Sequence, residues 1–243
     1  IKTLNTGYLK IDGVLLWSPM TSKPRALEVA TKSVVVYNTT FIDFSNYPGQ
    51  GGVLYNLENG TEIDSSNIYF YNCIITHTEY GEISENISTG RIFFIEGGAG
   101  TRLTFENSLF RIDHFTDWQQ YFDSHSGTEV ILLNSLINVF NVPNAVNRES
   151  NIIGIPPLLC SEEGDDMFFS TETTPIPDYP SGNYNKPVIG VKVAANSPLI
   201  GAASDGSNIA SAVSNCQAIG SYPSIVSNSL DNGYLNWNQN SFD

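Results

Sequence analysis

The sequence predicts an all-β fold, a parallel β-helix or solenoid in which short strands follow one another in stacked coils. Three observations predict it: a phrase centred on asparagine recurs, apolar residues alternate with a period of two before each asparagine, and no useful helical stretch intervenes. We expect one domain over residues 1–222, with an irregular C-terminal closing segment, and a tail or capping strap over 223–243.

The recurring phrase appears as "YNTTFID", "YNCIITH", "ENSLFRI" and "LNSLINV". Its markers, Asn38, Asn72, Asn107 and Asn134, are separated by 34, 35 and 27 residues. Unequal intervals exclude a repeat of rigid length, but they fit strands of fixed length joined by loops of variable size. Asparagine suits such a turn because it tolerates left-handed backbone angles, and stacked asparagine amides can hydrogen-bond to one another as a ladder.

Aligned on asparagine, the phrases share columns of similar residues. Large apolar residues stand four and two positions before the marker and three after it, whereas the next residue is always small. The period of two predicts that the large columns face the interior of a sheet. The four columns are Val34, Ile68, Leu103 and Val130; Val36, Phe70, Phe105 and Leu132; Thr39, Cys73, Ser108 and Ser135; and Phe41, Ile75, Phe110 and Ile137.

Further strands are predicted on either side of these phrases. An earlier copy, "LKIDGVLL", would place Leu9 and Ile11 inward and Gly13 at the turn. Another apolar run precedes each phrase, so each coil holds at least two strands joined by the asparagine turn. These runs are "ALEV" at 26–29, "GGVLYN" at 51–56, "GRIFFIE" at 90–96 and, less clearly, "QYFD" at 120–123.

These segments resemble the right-handed parallel β-helix proteins of the pectin-lyase-like superfamily. The resemblance rests on "VVVYNTTFIDFSN", "IYFYNCIITH", "LTFENSLFRID" and "VILLNSLINV". It continues in "NSPLIGAASDGSNIASAVSNCQAIGSYPS", which is similar to the closing segment of such proteins. The resemblance implies a right-handed solenoid whose outer face and loops carry any function, and it leaves several chemistries open.

Charge and cysteine usage restrict the partners and the compartment. The formal charge of −14, from 11 basic and 25 acidic residues, argues against nucleic acid and anionic membranes, and we expect no transmembrane segment. We expect a disulfide between Cys160 and Cys216 in the irregular C-terminal third, and a reduced, buried Cys73. Three glycosylation sequons, at Asn38, Asn59 and Asn86, would be used in a secreted chain, although such triplets also arise by chance.

The densest polar cluster is "FRIDHFTDWQQYFDSHSG", which combines carboxylates, histidines, an arginine and aromatic rings. Aromatic faces stack on sugars and carboxylates bind hydroxyls, so the segment predicts a carbohydrate site, whose alternative is a surface loop of solvated charges. The catalytic candidates, which apply only to an enzyme, are Arg111, Asp113 and Asp117. The sugar-binding candidates are His114, Trp118, Tyr121 and Asp123.

The sequence is compatible with two functions. The first is an extracellular or cell-surface module that has a structural role or contacts a polysaccharide or surface glycan. We also expect a neighbouring domain on a longer chain, because Ile1 is not a start methionine. The alternative is a polysaccharide lyase or glycoside hydrolase; few basic residues weaken the lyase, and a hydrolase needs two facing carboxylates. We expect no cofactor, although "SEEGDD" at 161–166 could offer oxygen ligands to Ca²⁺.

Overall fold

The computed structural model shows an all-β protein built mainly from three parallel sheets. It describes residues 1–17, 25–42, 44, 52–56, 66–76, 92–95, 100–112, 115, 117–124, 127–143, 146, 150–160, 173–175, 185–187 and 190–218. The predicted tail, 223–243, lies outside these ranges, as does the acidic run 161–166.

Along the first fifteen strands, each of the three sheets takes every third strand of the chain, and the sixteenth strand then pairs with the fifteenth in the third sheet. The first sheet holds β1 (Lys2–Thr6), β4 (Leu27–Thr31), β7 (Leu54–Asn56), β10 (Phe93–Ile95) and β13 (Phe122–Ser124). The second holds β2 (Leu9–Asp12), β5 (Ser33–Tyr37), β8 (Asn67–Tyr71), β11 (Arg102–Glu106) and β14 (Glu129–Leu133). The third holds β3 (Leu15–Trp17), β6 (Thr40–Ile42), β9 (Ile74–Thr76), β12 (Leu109–Arg111), β15 (Leu136–Ile137) and β16 (Ile152–Ile153).

The predicted interior columns are confirmed by the register of the parallel pairs. Val34 pairs with Ile68 and Phe41 with Ile75, and both columns continue in register through the next repeats. Their side chains, with those of Leu27 and other first-sheet residues, form one buried cluster that all three sheets share. Alternation along each strand sends every second side chain inward, and hydrophobic burial holds that face.

The apolar runs upstream of each phrase form the strands of the first sheet. Each repeat therefore contributes three strands, one to each sheet, and the asparagine turn joins the second to the third. The early copy follows the same plan, since β2 and β3 flank Gly13, whose φ is 65°. This succession of parallel strands in stacked sheets is compatible with the predicted parallel β-helix.

The asparagine turns have the predicted left-handed backbone. The φ angles of Asn38, Asn72, Asn107 and Asn134 are 47°, 54°, 52° and 45°. Part of the predicted amide ladder is present, because Asn72 Nδ2 donates to Asn38 Oδ1 at 2.8 Å. At Asn107 the ladder is replaced, because Nδ2 donates to Ser204 Oγ at 3.1 Å and Oδ1 accepts from the Ser204 amide at 2.8 Å.

The small residue after each asparagine also has a structural reason. The Ser108 hydroxyl accepts from the Cys73 amide at 3.1 Å and donates to the carbonyl of Glu106 at 3.0 Å. The Ser135 hydroxyl repeats this one layer on, accepting from the Ser108 amide and donating to Leu133. Only a short side chain fits here, because the position is buried and lies beside the turn.

The closing segment, residues 190–216, covers the outer face of the third sheet. It contains β19 (Lys192–Ala194), the 3₁₀ turn Ile209–Ser211 and β20 (Val213–Cys216), and β19 pairs with β20 in parallel. Its apolar residues bury the outward column of the third sheet, so that sheet is packed on both faces. The column is Ile74, Leu109 and Leu136, and the covering residues include Val191, Val193, Leu199 and Ile209.

The predicted disulfide joins Cys160 to Cys216, with the Cα atoms 5.7 Å apart. Cys73 is a free, fully buried thiol, as predicted. Two further short strands, β17 (Thr173–Pro175) and β18 (Asn185–Pro187), form an antiparallel pair between Cys160 and the closing segment. The disulfide links the closing segment to Cys160, which follows the last strand of the third sheet.

Candidate functional site

The segment predicted to bind sugar begins at the end of β12 and reaches β13. Arg111 is the last residue of β12, in register with Thr76, and its side chain is half-buried. Asp117 precedes α1 (Trp118–Tyr121), and its Oδ1 accepts a hydrogen bond from the Gln119 amide at 2.9 Å. This contact satisfies one of the free amides at the start of a helical turn.

The two aromatic residues predicted to contact sugar lie in the core. Trp118 is 7% exposed and stacks on Phe122, with ring centroids 4.1 Å apart. Tyr121 is 0% exposed, and its ring packs against Phe110 and Phe115. Neither ring offers the open face on which a sugar would stack.

The hydroxyl of Tyr121 belongs to a buried hydrogen-bond network. It accepts from the Ile112 amide at 3.0 Å and donates to Asn138 Oδ1. Asn138 Nδ2 completes the loop by donating to the Ile112 carbonyl at 2.8 Å. Such satisfied buried polar groups hold Ile112, Tyr121 and Asn138 in fixed positions relative to one another.

The remaining residues of the predicted cluster are not brought together by the part of the chain that the structure describes. Asp113, His114 and His125 lie outside it. Asp123 occupies a position in β13 opposite Phe94. The catalytic and sugar-contacting roles of this segment therefore stay predictions.

A second candidate site lies on the outward face of the second sheet. The residues that alternate with its interior columns point away from the core, and three of them are tyrosines. We call Tyr37, Tyr69 and Tyr71, together with Asp12 and Glu106, the tyrosine face. Each tyrosine is half-buried, so part of its ring reaches solvent.

The three rings lie within contact distance of one another. The Tyr37 ring meets Tyr69 and Tyr71 edge to face, with centroids 6.3 and 6.0 Å away. The rings of Tyr69 and Tyr71 are close to parallel, at 25°, with centroids 6.3 Å apart. Such pairs favour one another, and their neighbours on the strands hold them in place, so they form an organised aromatic surface.

Glu106 lies at one end of this surface, and each of its carboxylate oxygens accepts a hydrogen bond from a hydroxyl group. Tyr69 donates to Oε2 at 2.5 Å, and Ser204 of the closing segment donates to Oε1 at 2.6 Å. Burial, then the hydrogen bond to Glu106 and the charge of that carboxylate, raise the pKa of Tyr69 above its ordinary value of 10.0. The Tyr69 hydroxyl is therefore a stable donor to Glu106 at neutral pH.

Asp12 lies at the other end. Its Oδ1 accepts from Asn38 Nδ2 at 3.0 Å, and its Oδ2 is 4.0 Å from Lys10 Nζ. The Lys10 ammonium also lies 5.4 Å from the centroid of the Tyr37 ring. Lys10 therefore makes a cation-π contact with Tyr37 at this end of the tyrosine face.

The sequence does indicate the tyrosine face, through the outward positions that alternate with the interior columns. Tyr37 and Tyr71 stand immediately before the asparagine marker, and Tyr69 stands two residues earlier. Aligning the outward columns as well as the inward ones places Tyr37 and Tyr71 in one column, with Tyr69 on the same face of the strand as Tyr71. The sequence predicts a carbohydrate site in the 111–125 segment because the polar residues of that segment are adjacent in sequence. The residues of the tyrosine face are adjacent only across neighbouring strands.

Within the described residues, no group of three His, Cys, Asp or Glu side chains is placed to hold a metal ion. In the same ranges, no helix has the length and apolar character that crossing a membrane requires. Comparison with known proteins finds no match, whether with family models, curated proteins or solved structures.

Proposed function

We propose that the chain is an extracellular or cell-surface module that contacts carbohydrate through the tyrosine face. In this proposal the three parallel sheets form a right-handed β-helix of the pectin-lyase-like kind, which acts as a rigid support. The disulfide between Cys160 and Cys216 supports an oxidising compartment, because such bonds persist mainly outside the cytosol.

The observation that carries the proposal is the contact of three partly exposed tyrosine rings on one sheet face. Tyrosine combines an apolar ring face, which packs on the CH groups of a sugar, with a hydroxyl that hydrogen-bonds. Carboxylates at both ends, Asp12 and Glu106, can accept bonds from sugar hydroxyls. Strands hold these residues more precisely than a loop would, which suits recognition of a repeating polymer.

The test is a glycan array followed by calorimetric titration of the glycans that bind. Replacing both Tyr37 and Tyr71 by Ala should lower the affinity at least about fivefold, since aromatic packing contributes about 0.5–1.5 kcal/mol per ring. Phe140→Ala is the matched control, because Phe140 is a 43% exposed aromatic residue outside the tyrosine face. Circular dichroism should show that both variants keep the β fold.

Two outcomes would reject the carbohydrate role. If the wild-type chain binds no glycan, a purely structural role replaces it. If the Tyr37→Ala/Tyr71→Ala variant binds as well as the wild type, any glycan site lies elsewhere, and the 111–125 segment becomes the next candidate. A reducing-sugar assay on bound glycans separates a binding module from the alternative of a lyase or hydrolase, since only an enzyme would release new chain ends.

A further inference from the structure

One column of the tyrosine face runs across four neighbouring strands in the order acid, tyrosine, tyrosine, acid. Asp12 pairs with Tyr37, Tyr37 with Tyr71 and Tyr71 with Glu106, each on the next strand of the second sheet. Neighbouring strands lie about 4.8 Å apart, so the Cα atoms of Asp12 and Glu106 lie about 14 Å from each other. A ligand lying on both rings along this column therefore has a carboxylate at each end.

The charges on this face do not cancel. The five strands of the second sheet carry two basic residues, Lys10 and Arg102, and three acidic ones. Lys10 lies beside Asp12, and Arg102 Nε pairs with Glu129 at 2.8 Å. Among the described residues no salt bridge involves Glu106, which accepts hydrogen bonds from the neutral hydroxyls of Tyr69 and Ser204. Glu106 therefore adds an uncompensated negative charge to the face, on a chain whose formal charge is −14.

Glu106 is also positioned to bind a ligand. A carboxylate has about four lone-pair sites, and the two hydroxyl donors occupy one on each oxygen. Because Tyr69 and Ser204 hold the carboxylate from two sides, its remaining lone pairs have a fixed direction. These lone pairs can accept a hydrogen bond from a ligand hydroxyl. They repel a ligand carboxylate or sulfate, which cannot donate a hydrogen bond.

We propose that the tyrosine face selects glycans that carry no acidic group, and that Glu106 sets this preference. The inference rests on the proposed carbohydrate role and adds the class of ligand. An acidic sugar stacked on Tyr71 would place its charge about one strand spacing from Glu106, which pairs with Tyr71 on the next strand. A neutral sugar at the same place meets acceptors for its hydroxyls.

The test compares one glycan in two charge states. A neutral oligosaccharide that binds on the array is oxidised at its primary hydroxyls to carboxylates, so the two ligands share linkage and length. The oxidised form should bind at least about tenfold more weakly at low salt, because like charges separated by about 5 Å repel one another. Raising the salt concentration should reduce this difference by screening, while the affinity for the neutral form changes little.

Two single variants show whether Glu106 is the origin of the preference. Glu106→Gln keeps an oxygen that can accept from Tyr69 or Ser204 and removes one negative charge, so the difference between the two ligands should shrink severalfold. Glu28→Gln removes one negative charge on the first sheet, where Glu28 pairs with Lys2 at 2.6 Å, and should leave the difference unchanged. Thermal melting of both variants checks that each remains folded.

The possible results separate this inference from the proposal beneath it. If no glycan binds the wild-type chain, the carbohydrate role fails and the inference fails with it. If neutral glycans bind but the oxidised form binds equally well or better, the carbohydrate role stands and the charge selection is refuted. If Glu28→Gln reduces the preference as much as Glu106→Gln does, net charge sets it, and the assignment to Glu106 is overturned.

Discussion

The side-chain amide of Asn72 bridges two parts of the chain that are distant in sequence. Its Nδ2 donates to Asn38 Oδ1 at 2.8 Å, one repeat earlier, and to Ser211 Oγ at 2.6 Å, in the closing segment. The backbone of Asn72 is left-handed, with φ at 54°. One residue therefore makes the turn, links two repeats and anchors the cover of the third sheet.

Replacing Asn72 by Ala should lower the free energy of unfolding by about 2–4 kcal/mol, because it removes two hydrogen bonds and strains a left-handed residue. Asn72→Gly is the matched control, since it loses the same bonds without the strain. We expect Gly to be about 1 kcal/mol less damaging than Ala, as Gly13 occupies the equivalent turn of the first repeat. Urea unfolding measures both, and an Ala variant as stable as the Gly variant would contradict the role of backbone strain.

Replacing Trp118 by Ala should destabilise the protein by about 3–5 kcal/mol, because a large buried ring stacked on Phe122 is lost. The neighbouring exposed residue supplies the control, since Gln119→Ala should change the stability by less than about 0.5 kcal/mol. Thermal and urea unfolding measure the difference. A Trp118→Ala variant that melts like the wild type yet loses glycan affinity would instead support the sugar-binding role predicted from the sequence.

Reducing the disulfide between Cys160 and Cys216 should loosen the closing segment and lower the free energy of unfolding. The two cysteines are 56 residues apart, for which the chain-entropy relation gives about 4 kcal/mol. Reduction should also increase the binding of an apolar dye, because Ile74, Leu109 and Leu136 lose their cover. In a Cys160→Ser/Cys216→Ser variant the reductant should have no further effect; a melting shift there would point to another cause.

The third cysteine should be chemically silent in the folded protein. Burial raises the pKa of Cys73 to about 12, so almost no thiolate forms near neutral pH, and the sulfur is enclosed. A thiol reagent should find no reactive thiol in the native, unreduced chain and one after denaturation without reductant. Three thiols in the denatured, unreduced chain would show that the disulfide does not form.

The contribution of Tyr69 to the stability of the fold should decrease at alkaline pH. Because the folded-state pKa of Tyr69 is raised, its contribution to stability is complete below pH 10.0 and is lost as the pH rises towards the folded-state value. The free energy of unfolding should therefore fall as the pH rises above about 10, and less steeply in Tyr69→Phe, which has no proton to lose. Urea unfolding across this range measures both slopes, and equal slopes would exclude Tyr69 as a source of the dependence.

The interior of the three sheets could be read from the sequence because it depends on local rules. Side chains alternate along a strand, so Val34 and Val36 share one face wherever the strand lies. Asparagine tolerates a left-handed turn, so each marker locates the end of a second-sheet strand. Parallel pairing then stacks equivalent residues, and the alignment of four phrases was enough to predict which residues pair.

The outer faces depended on contacts that no local pattern contains. Ile74 and Leu109 on the third sheet are buried, whereas Tyr69 and Tyr71 on the second stay partly open, although all of them point away from the interior. The difference arises because a segment about 100 residues further along packs on one face and reaches only the edge of the other, where Ser204 meets Glu106. Trp118 is a similar case, since adjacent charges suggested a surface loop while contact with Phe122 buries the ring. Alternation decides which side chains leave the strand interior, but only tertiary packing decides which of them remain in contact with water.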